Sequence, residues 1–341
     1  MASEAELAYL KSARRPALAR VAGLWTVALL LAGLLVQYPI RHATAEWLAT
    51  DEAQDIVMTL RWGWRSPPIP RTVDIPLGEF DYGCKPGRDD KEAIKCRPGE
   101  TWRRVDLRQM SEPCTAFGQF EVTLAEYDYA VWQRRRTLSK GVVKPSYPEL
   151  APDVSDWNWR TGDIPVVNVS HDDATAYTEW LGELTGRTWR LPTEEEWEYV
   201  ARAPGRPGSQ EAAFWWGPEL PKERPGRPPR ANCVGCDSRF AHRIAPAGSY
   251  APNPFGLHDT AGSVWEWTLS AYMSDKLPAD PKAADPDRSY VLRGGSWGSY
   301  PKELRVSVGA DFHPDDWTNN VGFRVCRVSP PESQPAGAAG R

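Results

Sequence analysis

The stretch Gly256–Thr268, GLHDTAGSVWEWT, is the feature that most restricts the fold of this chain. It sets Asp259 and Glu266 among Trp265, Trp267 and a Gly262-Ser263 bend. A carboxylate held close to buried indoles needs a hydrogen bond, a cation or water, because unpaired buried charge is expensive. The segment therefore wraps a metal ion, or it is a half-buried strand with both tryptophans in the core and Glu266 capped by backbone amides.

A chain of 341 residues can hold one large domain or two small ones with a sizeable core. Its net charge of −4 gives no footprint for nucleic acid, so no nucleic-acid partner is expected. The 17 Trp, 32 Pro and 27 Gly suit a loop-rich fold in which large aromatics join irregular segments.

Residues Val21–Ile40 form an uncharged, mostly apolar run of the length that spans a bilayer as a helix. Lys11, Arg14, Arg15 and Arg20 precede it and only Arg41 follows closely, which orients residues 1–20 to the cytoplasm. Ala43-Thr44-Ala45 offers the alternative of a cleaved signal, but Arg41 and His42 intervene and the apolar run is long for a signal core. The expectation is a single-pass anchor in the cytoplasmic (inner) membrane, with the body periplasmic or extracellular. A Pro-rich connector covers 41–73, one domain covers 74–328, and a Pro/Gly/Ala-rich disordered tail covers 329–341.

All six cysteines lie on the exported side, where an even number reads as disulfides. Cys84 and Cys96 close a short loop and are expected to pair, leaving Cys114 and Cys326 as partners. Cys233-x-x-Cys236 admits three readings. A local disulfide would pin an irregular loop. A zinc site would need two more ligands, such as His242 and Asp237. A redox pair would want a helix starting after its first cysteine.

Helices are few. Ser170 caps a helix that Gly186 stops, with Ala176, Tyr177, Trp180, Leu181 and Leu184 on its apolar face. Thr193 with Glu196 is a capping box for a second, whose inner face carries Trp197, Val200 and Ala201. A third over Thr123–Arg135 turns Tyr127, Ala130 and Val131 inward. Short strands are expected at Gln119–Val122, Pro165–Val169, Val291–Arg293 and Gly322–Arg327. Pro204–Arg230, with seven prolines, should be an irregular surface excursion. The fold class is α+β.

Four ordered segments carry a family resemblance: Phe120–Trp132, Pro165–Ala203, Asn253–Thr268, and Val291–Trp297 with Val321–Arg327. Together they resemble the sulfatase-modifying-factor, or formylglycine-generating enzyme, superfamily, and GEFDYGC at Gly78–Cys84 resembles its first strand. The resemblance implies a C-type-lectin-like domain. It also implies Ca²⁺ as a structural ion, held by Asp259, the Gly262 and Val264 carbonyls and Glu266, a donor set that suits a hard cation. A second calcium site of the family would start at Asn232 and the Cys233 carbonyl; Asp237 is the nearest acid, without a clean alignment.

Members that make formylglycine hold Cu(I) between two thiolates after the GGSW motif. Aligned on Gly294–Trp297, those positions are Ser299 and Leu304, which offer Cu(I) no soft ligand, so copper is not expected. Gly309 and Asp311 replace two usual arginines, while Arg305 remains. Iron is the possible alternative metal: His313 with Asp311 and Asp315 would be its site, if that segment is not simply an exposed acidic loop. Cleft candidates are Ser299, Tyr300, Arg305, Asp311 and His313. The expected function is a non-catalytic binding or maturation factor, anchored through residues 21–40 and holding an exported protein, peptide or glycan near Trp297–Trp317. The alternative is a metal-dependent oxidoreductase of the superfamily acting on an exported peptide or small molecule.

Overall fold

A computed structural model describes residues 66–89, 95–98, 100–137, 162–209, 212–272, 289–316 and 318–328. The expected anchor at 21–40, residues 41–65 of the connector, the tail and Trp317 lie outside the described residues. Among the described residues no helix is long and apolar enough to cross a membrane.

Local capping sets the helices α1 (Leu124–Thr137), α2 (His171–Thr185) and α3 (Glu194–Arg202). The Ser170 side chain accepts from the Asp173 amide, and Asp173 returns the bond to the Ser170 amide. Gly186 ends α2 in the left-handed conformation at φ 65°, where a Cβ would be strained. Thr193 and Glu196 form the second capping box. Tyr177, Trp180 and Leu181 of α2 are buried as the periodicity predicts, whereas Ala176 and Leu184 are only half-buried. Helix α3 departs further from expectation. Glu196, Glu198 and Arg202 are as buried as Trp197, so every residue from 196 to 202 is inside. A wholly enclosed helix can carry charges only if each is paired.

The strands are β1 (Thr72–Asp74), β2 (Glu79–Gly83), β3 (Trp102–Asp106), β4 (Cys114–Gly118), β5 (Trp189–Arg190), β6 (Trp265–Ala271), β7 (Tyr290–Arg293), β8 (Gly309–Phe312), β9 (Val321–Phe323) and β10 (Cys326–Val328). One antiparallel sheet has the order β1-β4-β10-β5, a second sheet has the order β8-β7-β6-β9, and β2-β3 is a separate hairpin. Thr72 and Val73, placed in the connector by composition, already pair with β4. The strand expected at 119–122 lies earlier, at Cys114–Gly118, and Pro165–Val169 contributes a single bridge from Pro165 to Thr123. The two segments still bond to their neighbours outside regular strands: the Val122 amide donates to the Phe323 carbonyl and the Val166 amide to the Val122 carbonyl, each at 2.9 Å. The predicted strand 322–327 is broken into β9 and β10, which serve different sheets.

Disulfides join Cys84 to Cys96, Cys114 to Cys326 and Cys233 to Cys236. The Cys114–Cys326 bond ties β4 to the last strand across 212 residues of sequence, closing a loop whose unfolded entropy it removes. Trp197, Trp267, Phe117 and Phe323 are fully buried. Each contributes on the order of 2–3 kcal/mol of burial free energy. The Pro-rich excursion from Pro204 is not all surface: Ala213 and Phe214 plug into the core.

β6 runs parallel to β9 and antiparallel to β7, with Glu266 opposite Arg293 and Trp265 opposite Val321. The loop entering β6, the loop leaving β7 and the segment entering β9 therefore meet at one end of the second sheet.

Candidate functional site

The 259–264 loop reaches β6 through residues with left-handed backbone. Asp259 has φ 59°, Gly262 φ 85° and Ser263 φ 65°. A Cβ on Gly262 would collide with the Asn232 carbonyl, so the close crossing of these two chains requires glycine. The Gly262 amide donates to the Gly294 carbonyl at 2.9 Å and the Ser263 amide to the Asn232 carbonyl at 3.0 Å.

Glu266 is fully buried and both its oxygens are engaged. Oε2 accepts from Trp197 Nε1 at 2.7 Å and Arg324 Nε at 3.1 Å, and Oε1 accepts from Arg324 Nη2 at 2.8 Å. Arg324 also donates to the Gly118 and His258 carbonyls, each at 2.9 Å. Asp259 accepts from the Gly248 amide through Oδ2, while its Oδ1 is buried without a hydrogen-bond partner. Glu121 is buried 3.9 Å from Arg324, and neither of its oxygens accepts a hydrogen bond. Three buried carboxylates thus surround one guanidinium. Burial first, offset in part by the Gly248 amide and Arg324, pushes the Asp259 carboxyl up to about 6. Burial and then the Asp259 charge raise Glu121 well above the carboxylate range.

Two features of the loop fit a hard cation. It has surplus negative charge, and it has an orphaned carboxylate oxygen on Asp259. Glu266 is the less available ligand, because Arg324 already neutralises it. Among the second set, Asn232 Oδ1 is also buried without a donor. Asp237 is committed elsewhere: Arg239 donates to it at 2.6 Å through Nη2, and the Tyr250 hydroxyl donates at 3.0 Å. The Cys233 carbonyl accepts from the Cys236 amide at 3.1 Å.

Of the five cleft candidates, Ser299, Tyr300 and Arg305 lie on the loop leaving β7, and Ser299 and Arg305 turn inward to structural partners. Ser299 is buried, its Oγ accepting from the Ser296 amide at 3.1 Å and lying 3.3 Å from Ser296 Oγ. Leu304 is fully buried among Ala213, Phe214, Ala231, Ala261 and the Cys233–Cys236 disulfide. The Val234 amide, inside that disulfide turn, donates to the Ser299 carbonyl at 3.0 Å. Arg305 is buried and bound to Glu100 by contacts of 2.8 and 3.2 Å, beside Cys84 Sγ at 3.4 Å. Tyr300 is 67% exposed. Asp311 is exposed on β8, and half-exposed His313 stands 3.9 Å from Asp315. The five residues are thus divided between core and surface.

Composition and spacing did not single out Glu121, Arg324 or Arg293. The signal was present as a charge inside an apolar run: Glu121 between Phe120 and Val122, Arg324 between Phe323 and Val325, Arg293 after Val291-Leu292. Charges at core positions are rare unless paired.

Residues 64–329 match the sulfatase-modifying factor enzyme 1-like domain. A formylglycine-generating enzyme of Streptomyces coelicolor is 40% identical over 176 residues, 47% of this chain and 51% of that protein. An inactive Cα-formylglycine-generating enzyme 2 of Bos taurus is 37% identical over 172 residues, 48% of this chain and 50% of that protein. The chain thus spans about half the length of these curated relatives. Among solved structures, PvdO from Pseudomonas aeruginosa superposes with a TM-score of 0.54 at 25% identity, over 76% of this chain and 95% of that one. The chain belongs to the sulfatase-modifying factor enzyme 1-like family.

Proposed function

We propose that this protein is a non-catalytic binding or maturation factor. Its domain, of the C-type-lectin-like type, is held outside the cytoplasmic membrane by residues 21–40, with Ca²⁺ as a structural ion at the 259–266 loop. The observation that carries the reading is the state of sulfur. All six cysteines are consumed in disulfides, so no thiolate is left to exchange with a substrate cysteine. At the two positions where the resemblance places copper ligands, Ser299 is tied to Ser296 and Leu304 fills an apolar cluster. The similarity to proteins named inactive formylglycine-generating enzyme 2 supports a role without that chemistry.

In this reading Asp259 and the main-chain carbonyls of Gly262 and Val264 would hold the calcium, with Glu266 shared between it and Arg324. The ion would offset the surplus carboxylate charge and fix the loop that enters β6.

The test offers the full chain copper, oxygen and a sulfatase-type cysteine peptide, followed by mass spectrometry of the peptide and metal analysis of the protein. The expected result is unmodified cysteine and calcium alone. Conversion to formylglycine, or stoichiometric iron or copper that turns over oxygen, would replace this reading with the oxidoreductase one.

A further inference from the structure

Two exposed arginine-rich surfaces differ in how their charge is matched. On β3 and the turn after it, Arg103 pairs with Glu195, Arg104 with Glu79 and Asp81, and Arg108 with Asp106. Each cation there has its own carboxylate. On the Pro-rich loop 216–230, the single carboxylate of Glu219 is shared by Arg224 at 3.2 Å, Arg230 at 3.6 Å and Arg227 at 3.9 Å. Lys222 adds a fourth exposed cation. The loop's other acid, Glu223, is taken by the Ser238 amide and hydroxyl, at 3.2 and 2.8 Å. The loop therefore presents unmatched positive charge on a chain of net charge −4.

These side chains stand on a fixed base. Trp216 stacks on the fully buried Phe214 at 4.8 Å, its Nε1 donates to the Glu219 carbonyl at 3.0 Å, and Arg230 lies over its ring at 5.7 Å. Pro221 is buried and Leu220 packs on the cluster that contains the Cys233–Cys236 disulfide. Between the cations lies a notch of about 20 Å³, lined by Leu220 and Pro228 as well, with room for one oxygen-sized group.

We propose that loop 216–230 docks an acidic segment of a partner polypeptide, whose carboxylates replace or join Glu219 between the three guanidiniums. Glu219 itself is the argument for a carboxylate occupant. The geometry already holds one such group, and guanidinium forks suit planar carboxylates. A prolyl-stiffened loop loses little entropy when a partner binds. The inference deepens the binding reading above and rests on it only for the partner being a polypeptide.

The experiment is fluorescence anisotropy of the purified full chain, in neutral detergent, with a fluorescein-labelled peptide of alternating Glu and Ser. Saturable binding is expected, weakening about tenfold as salt rises from roughly 50 to 200 mM. Arg224→Glu with Arg227→Glu should weaken binding by about tenfold or more, and the milder Arg224→Gln with Arg227→Gln by about threefold. Glu219→Gln should tighten it about twofold, while Arg103→Glu with Arg104→Glu should leave it within about twofold of wild type. Circular dichroism of each variant checks that the exposed substitutions leave the fold intact. No saturable binding at low salt, an equal loss in the Arg103/Arg104 variant, or tighter binding to phosphatidylglycerol vesicles than to the peptide would overturn the proposal. None of these outcomes bears on the formylglycine and metal assays, so the two readings fail separately.

Discussion

Among the described residues, the ionic cluster around α3 and the one at the head of β6 are built on opposite terms. Around α3, three guanidiniums (Arg88, Arg202, Arg293) meet three carboxylates (Asp89, Glu194, Glu198), and nearly every polar atom is used. Arg202 Nε donates to Glu198 at 2.8 Å and its Nη1 to Asp89 at 3.1 Å. Arg293 donates to Glu198 at 3.2 Å, Glu194 at 2.9 Å and the Tyr82 hydroxyl at 2.6 Å, leaving only its Nε without a partner. At the head of β6, by contrast, Arg324 faces Glu266, Glu121 and Asp259, and three carboxylate oxygens have no donor. A matched network needs nothing further to be stable as a framework. An unmatched one must hold protons or a cation, and so it is the cluster whose state a ligand can change.

The sharpest way to break this contrast is to remove the lone cation. Arg324→Met should cost about 3–5 kcal/mol, because it strands three acids in the core. The loss is read from urea unfolding midpoints at unchanged slope; a cost under about 1 kcal/mol would mean the acids are already neutral. In the matched network, Glu198→Gln should cost about 2–3 kcal/mol, since Arg202, Arg293 and the Gly83 amide all lose an ionised acceptor. Calcium separates the clusters next. At about a hundredfold excess over its Kd it should stabilise the full chain by about 2.7 kcal/mol relative to EGTA, and Asp259→Asn should abolish that gain in a thermal melt.

The smaller effects concern single acids. Glu121→Gln should leave stability unchanged or raise it by up to about 1 kcal/mol, the opposite sign to Glu198→Gln, because it replaces an unmatched carboxyl with a neutral group. Asp237 makes the last comparison. Burial would raise its carboxyl, but the hydrogen bonds from Arg239, reinforced by Tyr250, bring it below the ordinary carboxylate value. Its contribution is therefore complete above that ordinary value, about pH 4, and is lost as pH falls through the lower folded value. Asp237→Asn should flatten the acid limb of a stability–pH profile without changing the response to calcium. A changed calcium response would place Asp237 at the ion instead.

Much of the framework could be read along the chain. The caps at Ser170 and Thr193 fixed the starts of two helices and Gly186 the end of the first, since each partner lies within one turn. Trp197, Val200 and Ala201 were legible as an inner face through their spacing. The pairing of Thr72–Asp74 with β4 was not, because strand partners distant in sequence leave no local mark. Nor was the enclosure of α3, whose charges look solvated until their partners on other elements are known.

The same division governs the candidate sites. Residue identity by itself determined that Ser299 and Leu304 offer no thiolate, and that Asp259 and Glu266 bracket a glycine bend, with Glu266 between two tryptophans; these are facts of chemical type and spacing. Only the tertiary structure decided that Glu266 is bound to an arginine 58 residues away, that Asp259 keeps an unpartnered oxygen, and that Leu304 is sealed beneath the Cys233–Cys236 turn. Electrostatic partnership depends on distance in space, and separation along the chain does not encode it.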